Sequence, residues 1–247
     1  MSNKYYYFKD RNDGFGAQFQ TLLTTLLFCE YNKLNFLYRG INSIEHNYKN
    51  DPNYINEIDE LMNIKNNYNY EKNMDTANIE MVEITLQFRN LFDTNIDKYL
   101  ASPGMVRYKE IFWKNKNRNV YDNGKMNIAV HIRNYCTEFD VSCGRVNLPL
   151  DYYFNVMNLI RKRYNKDMIF HIYSIGNPDD FKNLENPDVV FHINENISKT
   201  FIGMVAADAL VMSRSSLSYV AAFLSDGDKY YVPFWHPPAK HWFVFKP

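Results

Sequence analysis

The chain has 247 residues, which fits one large or two small domains at about 150 residues each, and either is long enough to bury a core. With 46% hydrophobic, 17% aromatic and 23% charged residues it reads as globular rather than disordered. Lys+Arg and Asp+Glu are both 28, so there is no basic excess of the kind that binding to DNA, RNA or acidic lipid requires.

No apolar run approaches the roughly 18–20 residues that span a bilayer. The longest, Leu22 to Cys29, is short and interrupted by Thr24 and Thr25. The opening MSNKYYYFKD has no apolar core of a signal peptide, so we expect a cytoplasmic protein with no membrane partner. Three cysteines, Cys29, Cys136 and Cys143, form no regular framework and read as reduced thiols.

In chain order, Lys4–Phe8 predicts a strand and Asp10–Gly16 a loop with two glycines. A helix over Ala17–Asn32 follows. Phe19, Leu22, Leu23, Leu26, Leu27 and Tyr31 recur there at helical spacing as one buried stripe. Asn35–Tyr38 predicts a second strand and Tyr54–Ile64 a helix within a polar stretch. Ile79–Leu100 predicts a helix with Met81, Ile84, Phe88 and Leu91 on one side, ended by Pro103-Gly104.

The turn-rich segment Asn115–Lys125 marks the boundary between a domain 1–122 and a domain 123–247. Beyond it the rhythm is regular. Strands are predicted at Asn127–Ile132, Met168–Tyr173, Val189–Ile193, Ala209–Met212 and Lys229–Val232. Helices are predicted at Leu150–Tyr164, Asp179–Leu184, Ser198–Ala207 and Ser216–Leu224. This alternation is the α/β pattern, and five strands with interleaved helices predict a doubly wound sheet. The tail Pro233–Pro247, with Trp235 and Trp242, is expected to be pinned by packing, with the first domain as one surface that could cover its aromatics. Two α/β halves would enclose a cleft, and ligands in such sheets bind beyond the carboxyl ends of the strands.

Four segments carry candidate chemistry. His131 and Arg133 lie on one side of the end of their strand, and a guanidinium fits a phosphate through two parallel hydrogen bonds. Ser213-Arg214-Ser215-Ser216 runs from a strand into a helix, where Ser215 or Ser216 caps and the helix dipole favours an anion. Gly14, Gly16 and Gln18 follow the first strand in a loop that mimics half of a dinucleotide fingerprint. The third glycine position there holds Phe19, and the second strand ends in Arg39, which leaves an NADP-type oxidoreductase as one reading. The loop Tyr135–Leu148 contributes Glu138, Asp140 and Arg145, two carboxylates and a cation beside a ligand-facing strand. Asp208 precedes a strand and offers acceptors for a base edge.

Asp226-Gly227-Asp228 has the outline of a metal-binding DxD, but its place between helix and strand suits a plain turn. The histidines and cysteines show no zinc spacing, so no metal is expected.

Val130–Arg133, the segment Ala207–Leu224, Pro233-Phe234-Trp235 and the Gly14–Gln18 loop together resemble the α1,2-, α1,6- and protein O-fucosyltransferase superfamily in order and spacing. The resemblance spans most of the chain and is dense over 126–236. It implies two Rossmann-like domains facing each other across a cleft in a compact GT-B-like arrangement, with a GDP-sugar held by the second. Under it His131 lies near the nucleotide, Arg133 grips the diphosphate, Asp208 reads guanine, and Ser215 and Ser216 bind phosphate. Many relatives carry a second Arg directly after the motif and an Asp soon after, where this chain has Asn134 and Cys136. Arg145 and Arg214 are the candidates to supply that charge. The implied activity is metal-independent, inverting transfer of fucose from GDP-fucose to a glycan hydroxyl, with no cofactor. Arg133 would stabilise the leaving group, and Glu138 or Asp140 would act as base. Gly14, Gly16 and Gln18 would face the acceptor side. A nucleotide-sugar-binding module without catalysis is the other reading.

Overall fold

The structure, a computed structural model, describes residues 3–9, 11–47, 50–84, 86–134 and 147–247, and of 86–89 the backbone alone. The chain divides into two compact units, Met1–Asn117 and Arg118–Pro247. Both are α/β with a parallel sheet.

In the first unit, β1 (Lys4–Tyr7) leads through the glycine loop into α1 (Phe15–Tyr31), and β2 (Asn35–Tyr38) follows. Then come α2 (Tyr54–Met62), β3 (Asn69–Tyr70), β4 (Glu80–Glu83), α3 (Leu86–Thr94), α4 (Ile96–Leu100) and α5 (Pro103–Trp113). The sheet order is β3-β2-β1-β4, parallel throughout. Helix α1 is buried on nearly every side, with Phe19, Leu23, Leu26 and Leu27 fully inside and Gln18, Gln20, Thr21, Thr24 and Thr25 buried among them. Tyr31 departs from the expected stripe. It is 44% exposed and sits edge-on to Tyr99, with the Lys98 ammonium 4.3 Å from its ring centre.

The single helix expected over Ile79–Leu100 is three elements. Glu80–Glu83 pairs with β1 residue for residue, from Lys4↔Glu80 to Tyr7↔Glu83, because the exposed edge of β1 needs backbone partners that no local pattern announces. Of the residues expected on one side of that helix, Met81 and Leu91 are exposed and Ile84 is buried. Pro103-Gly104 starts a helix instead of ending one. Proline stands at its first position and the Ser102 hydroxyl accepts from the Met105 amide at 3.3 Å, the standard entry to a helix.

The second unit runs β5 (Met126–His131), α6 (Leu150–Tyr164), β6 (Met168–Ser174), a 3₁₀ turn (Pro178–Leu184), β7 (Val189–Ile193), α7 (Ile197–Ala206), β8 (Ala209–Val211), α8 (Ser216–Leu224), β9 (Asp228–Tyr231) and β10 (Phe243–Val244). The order β7-β6-β5-β8-β9-β10 is parallel throughout. Counted from β5, this is 3-2-1-4-5-6, the doubly wound order whose direction reverses between its first and fourth strands. One face packs on α6, where Tyr153, Val156, Met157 and Ile160 meet Ile128, Val130, Phe170 and Ile172. Arg161, Lys162 and Arg163 fill the last turn of α6, where cations suit the dipole, and Arg161 grips Asp188 through two hydrogen bonds of 2.7 and 2.8 Å.

A sixth strand, β10, comes from the tail. Phe243 pairs with Tyr230, and Trp242 is buried against Tyr219 and Tyr231. The tail thus extends the sheet of its own unit. Trp235 is not pinned and is 65% exposed.

Candidate functional site

The strand order reverses between β5 and β8, so the chains leaving their carboxyl ends diverge there and leave a crevice. The register Ile128↔Ala209 through Val130↔Val211 brings His131–Arg133 and Met212–Ser216 to that same edge.

Ser213 joins the two strand exits. It is 2% exposed, and its hydroxyl oxygen accepts from the Arg133 amide at 3.1 Å and from the Tyr153 hydroxyl at 3.0 Å. Its own amide donates to the Ser218 hydroxyl at 3.3 Å, and its carbonyl accepts from the Ser215 amide at 2.8 Å. The Ser213 hydroxyl therefore ties the end of β5 to the turn after β8 and to α6, while the Ser213 backbone ties that turn to the first turn of α8. Ser215 caps α8 by accepting from the Leu217 amide at 3.3 Å, and Ser216 is the first helical residue. The positive end of this nine-residue helix opens at the crevice.

Two guanidinium-bearing residues flank the exits, and both are half-buried. Arg133 follows β5. Arg214 follows β8 and donates through Nε to the Pro233 carbonyl at 3.2 Å, which sets its stem against the loop after β9. His131 is buried, and its Nδ1 has no hydrogen-bond partner. Burial first, and the Arg133 charge second, push its imidazole down to about 3, so it is neutral at pH 7. The Tyr152 hydroxyl is likewise buried without a partner. Burial raises its pKa and Tyr153 adds to this, while the Arg214 charge opposes it. A buried polar atom without a partner is uncommon in folded proteins; Glu30 Oε2 and Trp242 Nε1 are others elsewhere in the chain. A neutral imidazole, two cations and a helix start suit an anion with a polar group attached.

The other predicted residues are placed elsewhere. Asp208 stands at the opposite end of β8. Its carboxylate accepts from the Asn127 amide at 2.7 Å, five strand positions from the Ile132 level, or about 16 Å at 3.3 Å per residue. It fastens the start of β5 and is not with Arg133. The Asp226-Gly227-Asp228 turn lies at that same amino edge, where the Asp228 amide donates to the Asp208 carbonyl at 2.9 Å. A Cβ on Gly227 would fall 2.4 Å from that carbonyl oxygen. Glu138, Asp140 and Arg145, with Cys136 and Cys143, lie outside the described residues. Asn134 donates to the Ile175 carbonyl at 3.1 Å and accepts from Asn147 at 2.9 Å.

In the first unit, Gly14 begins α1 at a point where a Cβ would meet the His46 ring at 2.6 Å, and Gly16 is buried within the helix. Gln18 donates its amide protons to the carbonyls of Asp13 at 2.9 Å and Ser43 at 2.8 Å. The amide thereby holds the loop in shape. Arg39 donates through Nε to Glu71 at 2.8 Å and lies over the Tyr7 ring, so its charge is already matched.

Ser213 and Tyr153 escaped sequence reasoning. Tyr153 falls within the expected helix Leu150–Tyr164 with no role of its own, and Ser213 is one serine of the Ser213–Ser216 run. The usable signal was the phenol itself, since a tyrosine on a fully buried helix face needs a partner for its hydroxyl.

No family model matches the chain, and no curated protein does. Among solved structures it is similar to the fucosyltransferase NodZ from Bradyrhizobium, at 11% identity and a TM-score of 0.41 over 89% of this chain and 93% of that one. It is similar to the heptosyltransferase WaaC of E. coli with an ADP-heptose analogue, at 11% identity and a TM-score of 0.44 over 98% and 92%. A third is POFUT1 in complex with GDP, at 12% identity and a TM-score of 0.34 over 98% and 74%. All three likenesses are distant.

Proposed function

We propose that the chain is a glycosyltransferase that moves fucose from GDP-fucose to a glycan hydroxyl, by direct displacement and without a metal. The observation that carries this reading is Ser213, whose hydroxyl accepts from the Arg133 amide at the exit of β5 and whose backbone bonds the capped start of α8, at the strand-order reversal. The segments that meet there, VHIR and ADALVMSRSS, are those that resemble the fucosyltransferases.

In the proposed reaction the acceptor oxygen attacks the anomeric carbon. The bond from that carbon to the β-phosphate oxygen breaks, and GDP leaves with the electron pair. Arg133 and the α8 terminus offset the charge that grows on the diphosphate, with Arg214 and Arg145 as further cations; preorganised donors aimed at developing charge are the strongest single catalytic device. Ser215 and Ser216 contribute phosphate contacts, and His131 stays neutral beside the nucleotide. Glu138, or else Asp140, takes the acceptor proton. Attack opposite the leaving group inverts the anomeric centre. Asp208 has no part in this scheme, since its carboxylate serves the Asn127 amide.

The test is release of GDP from GDP-fucose with a panel of glycan acceptors, beside calorimetry with GDP, GDP-fucose, ADP-heptose, UDP and NADP. Acceptor-dependent GDP release supports the reading. Tight GDP-fucose binding with no turnover would make the chain a binding module. Preference for ADP-heptose or NADP would replace the donor.

A further inference from the structure

On the sheet face away from α6, a line of polar side chains crosses β5, β6 and β7. His171 Nε2 lies 3.1 Å from Asn127 Oδ1, His171 Nδ1 lies 3.0 Å from His192 Nε2, and His192 Nδ1 lies 3.0 Å from Glu195 Oε1. The polarity of the line follows from the main chain. The Lys125 amide donates to Asn123 Oδ1 at 2.9 Å, which makes that atom oxygen. Asn123 Nδ2 therefore donates to Asn127 Oδ1 at 2.8 Å, and Asn127 Nδ2 donates to the Lys125 carbonyl at 2.8 Å. Asn127 Oδ1 is thus an acceptor only, and so is an ionised Glu195 at the other end.

Three hydrogen bonds separate these two acceptors, and each needs an N–H. Two neutral imidazoles provide two. We infer that the Asn127–His171–His192–Glu195 line is a proton-binding site, which holds a third N–H proton shared by the two imidazoles. Nothing in it depends on sugar transfer.

The third proton belongs on His192. Burial, then the neighbouring His192 charge, push His171 down to about 4, whereas His192 stands next to the carboxylate. The other groups on this face include His131, neutral at pH 7 and in register with Tyr173, and Lys229 of β9, which is buried and donates to the Ser225 carbonyl at 2.7 Å; beside them are two phenols and one distant acid. Tyr173 of β6 stacks on His192 at 4.6 Å, and Tyr121 lies 4.3 Å from the His171 ring. Tyr121 and Tyr173 join hydroxyls at 2.7 Å, Tyr121 also donates to the Gly203 carbonyl of α7 at 3.0 Å, and Asp208 acts on Tyr121 at longer range. Burial raises both phenols, so they stay neutral across the range that matters.

When the proton leaves, the His192 Nδ1 lone pair faces the Glu195 carboxylate and their hydrogen bond is lost. Glu195 stands between two asparagines that anchor their surroundings. Asn194 exchanges hydrogen bonds with the Gly176 backbone at 3.0 and 2.8 Å, and Asn196 caps α7. Proton binding thereby ties the loop after β7 to the middle of the sheet, and the pair titrates as a unit.

The experiment is long-range proton–nitrogen NMR of the ¹⁵N-labelled full chain at pH 6 and pH 9, with Glu195→Gln beside it. In the native chain at pH 6, His171 is expected protonated on Nε2 and His192 on both nitrogens, with one fewer N–H across the pair at pH 9. The side-chain amide introduced by Glu195→Gln can donate to His192 Nδ1, so the variant is expected to hold two neutral imidazoles at both pH values. The urea midpoint of the native chain should then fall relative to the variant between pH 6 and 9. Two neutral imidazoles in the native chain at pH 6 would overturn the inference. So would a variant that titrates like the native chain, or signals that move on dialysis against EDTA.

Discussion

His131 sets a calculable price on acid. It is buried at the end of β5 beside Arg133, and its imidazole is driven from 6.5 down to about 3. Above pH 6.5 it is neutral in both the folded and unfolded chain and contributes no pH dependence. Below pH 6.5 the unfolded chain binds a proton there that the native chain refuses. Stability is therefore fully present above about 6.5 and falls with pH toward about 3, at about 1.4 kcal/mol per pH unit. By about pH 4.5 the loss from this one residue is about 3 kcal/mol, a large share of the roughly 5–15 kcal/mol typical of a folded domain. Carboxylates and the other histidines titrate in the same range, so the measurement is a difference. Urea unfolding of native and His131→Gln protein at pH 8, 6.5, 5.5 and 4.5 cancels everything but residue 131. The native chain should lose about 2–3 kcal/mol relative to the variant between pH 8 and 4.5. A difference that stays constant within about 0.5 kcal/mol would refute a neutral, buried His131.

Further outcomes follow from the same geometry. Arg133→Ala is expected to cost on the order of 10²-fold or more in GDP release from GDP-fucose, as for loss of one oxyanion donor; near-normal turnover in a folded variant would contradict its role. Tyr153→Phe removes a buried donor to Ser213 and should cost about 1 kcal/mol in urea unfolding. Under the proposed function it also weakens GDP binding, and calorimetry that shows unaltered affinity would separate Ser213 from the anion site. Asp208→Ala leaves the Asn127 amide without its carboxylate and should cost about 2 kcal/mol, with GDP affinity unchanged. A selective loss of affinity there would return Asp208 to the nucleotide. Ser102→Ala uncaps α5 and should cost about 1 kcal/mol, read from the thermal midpoint.

The second unit was far more legible than the first. Its central strands β5, β6 and β8 are mostly apolar runs buried on both faces, and its helices carry clean stripes such as Val156, Met157 and Ile160. In the first unit β4 is four residues long, with two glutamates and an exposed methionine. No periodicity can separate such a segment from the helix that follows it. Helix α5 was readable in principle from Ser102-Pro103, which is an entry signal when a helix follows and a stop when one precedes.

The sequence alone determined the α/β alternation, the arginine and serines at strand ends, and the apolar faces, because each is written in local spacing and residue chemistry. Only the tertiary structure decided which strand ends are neighbours. Parallel strands are joined by long crossovers, so β5 and β8 meet through some eighty intervening residues that leave no trace in either strand. That pairing put Ser213 on the Arg133 amide and sent Asp208 to the far edge, and the pairings of β5 with β6 and of β6 with β7 lined up two histidines between two acceptors. Each of these is a relation between distant segments, set by register and burial together.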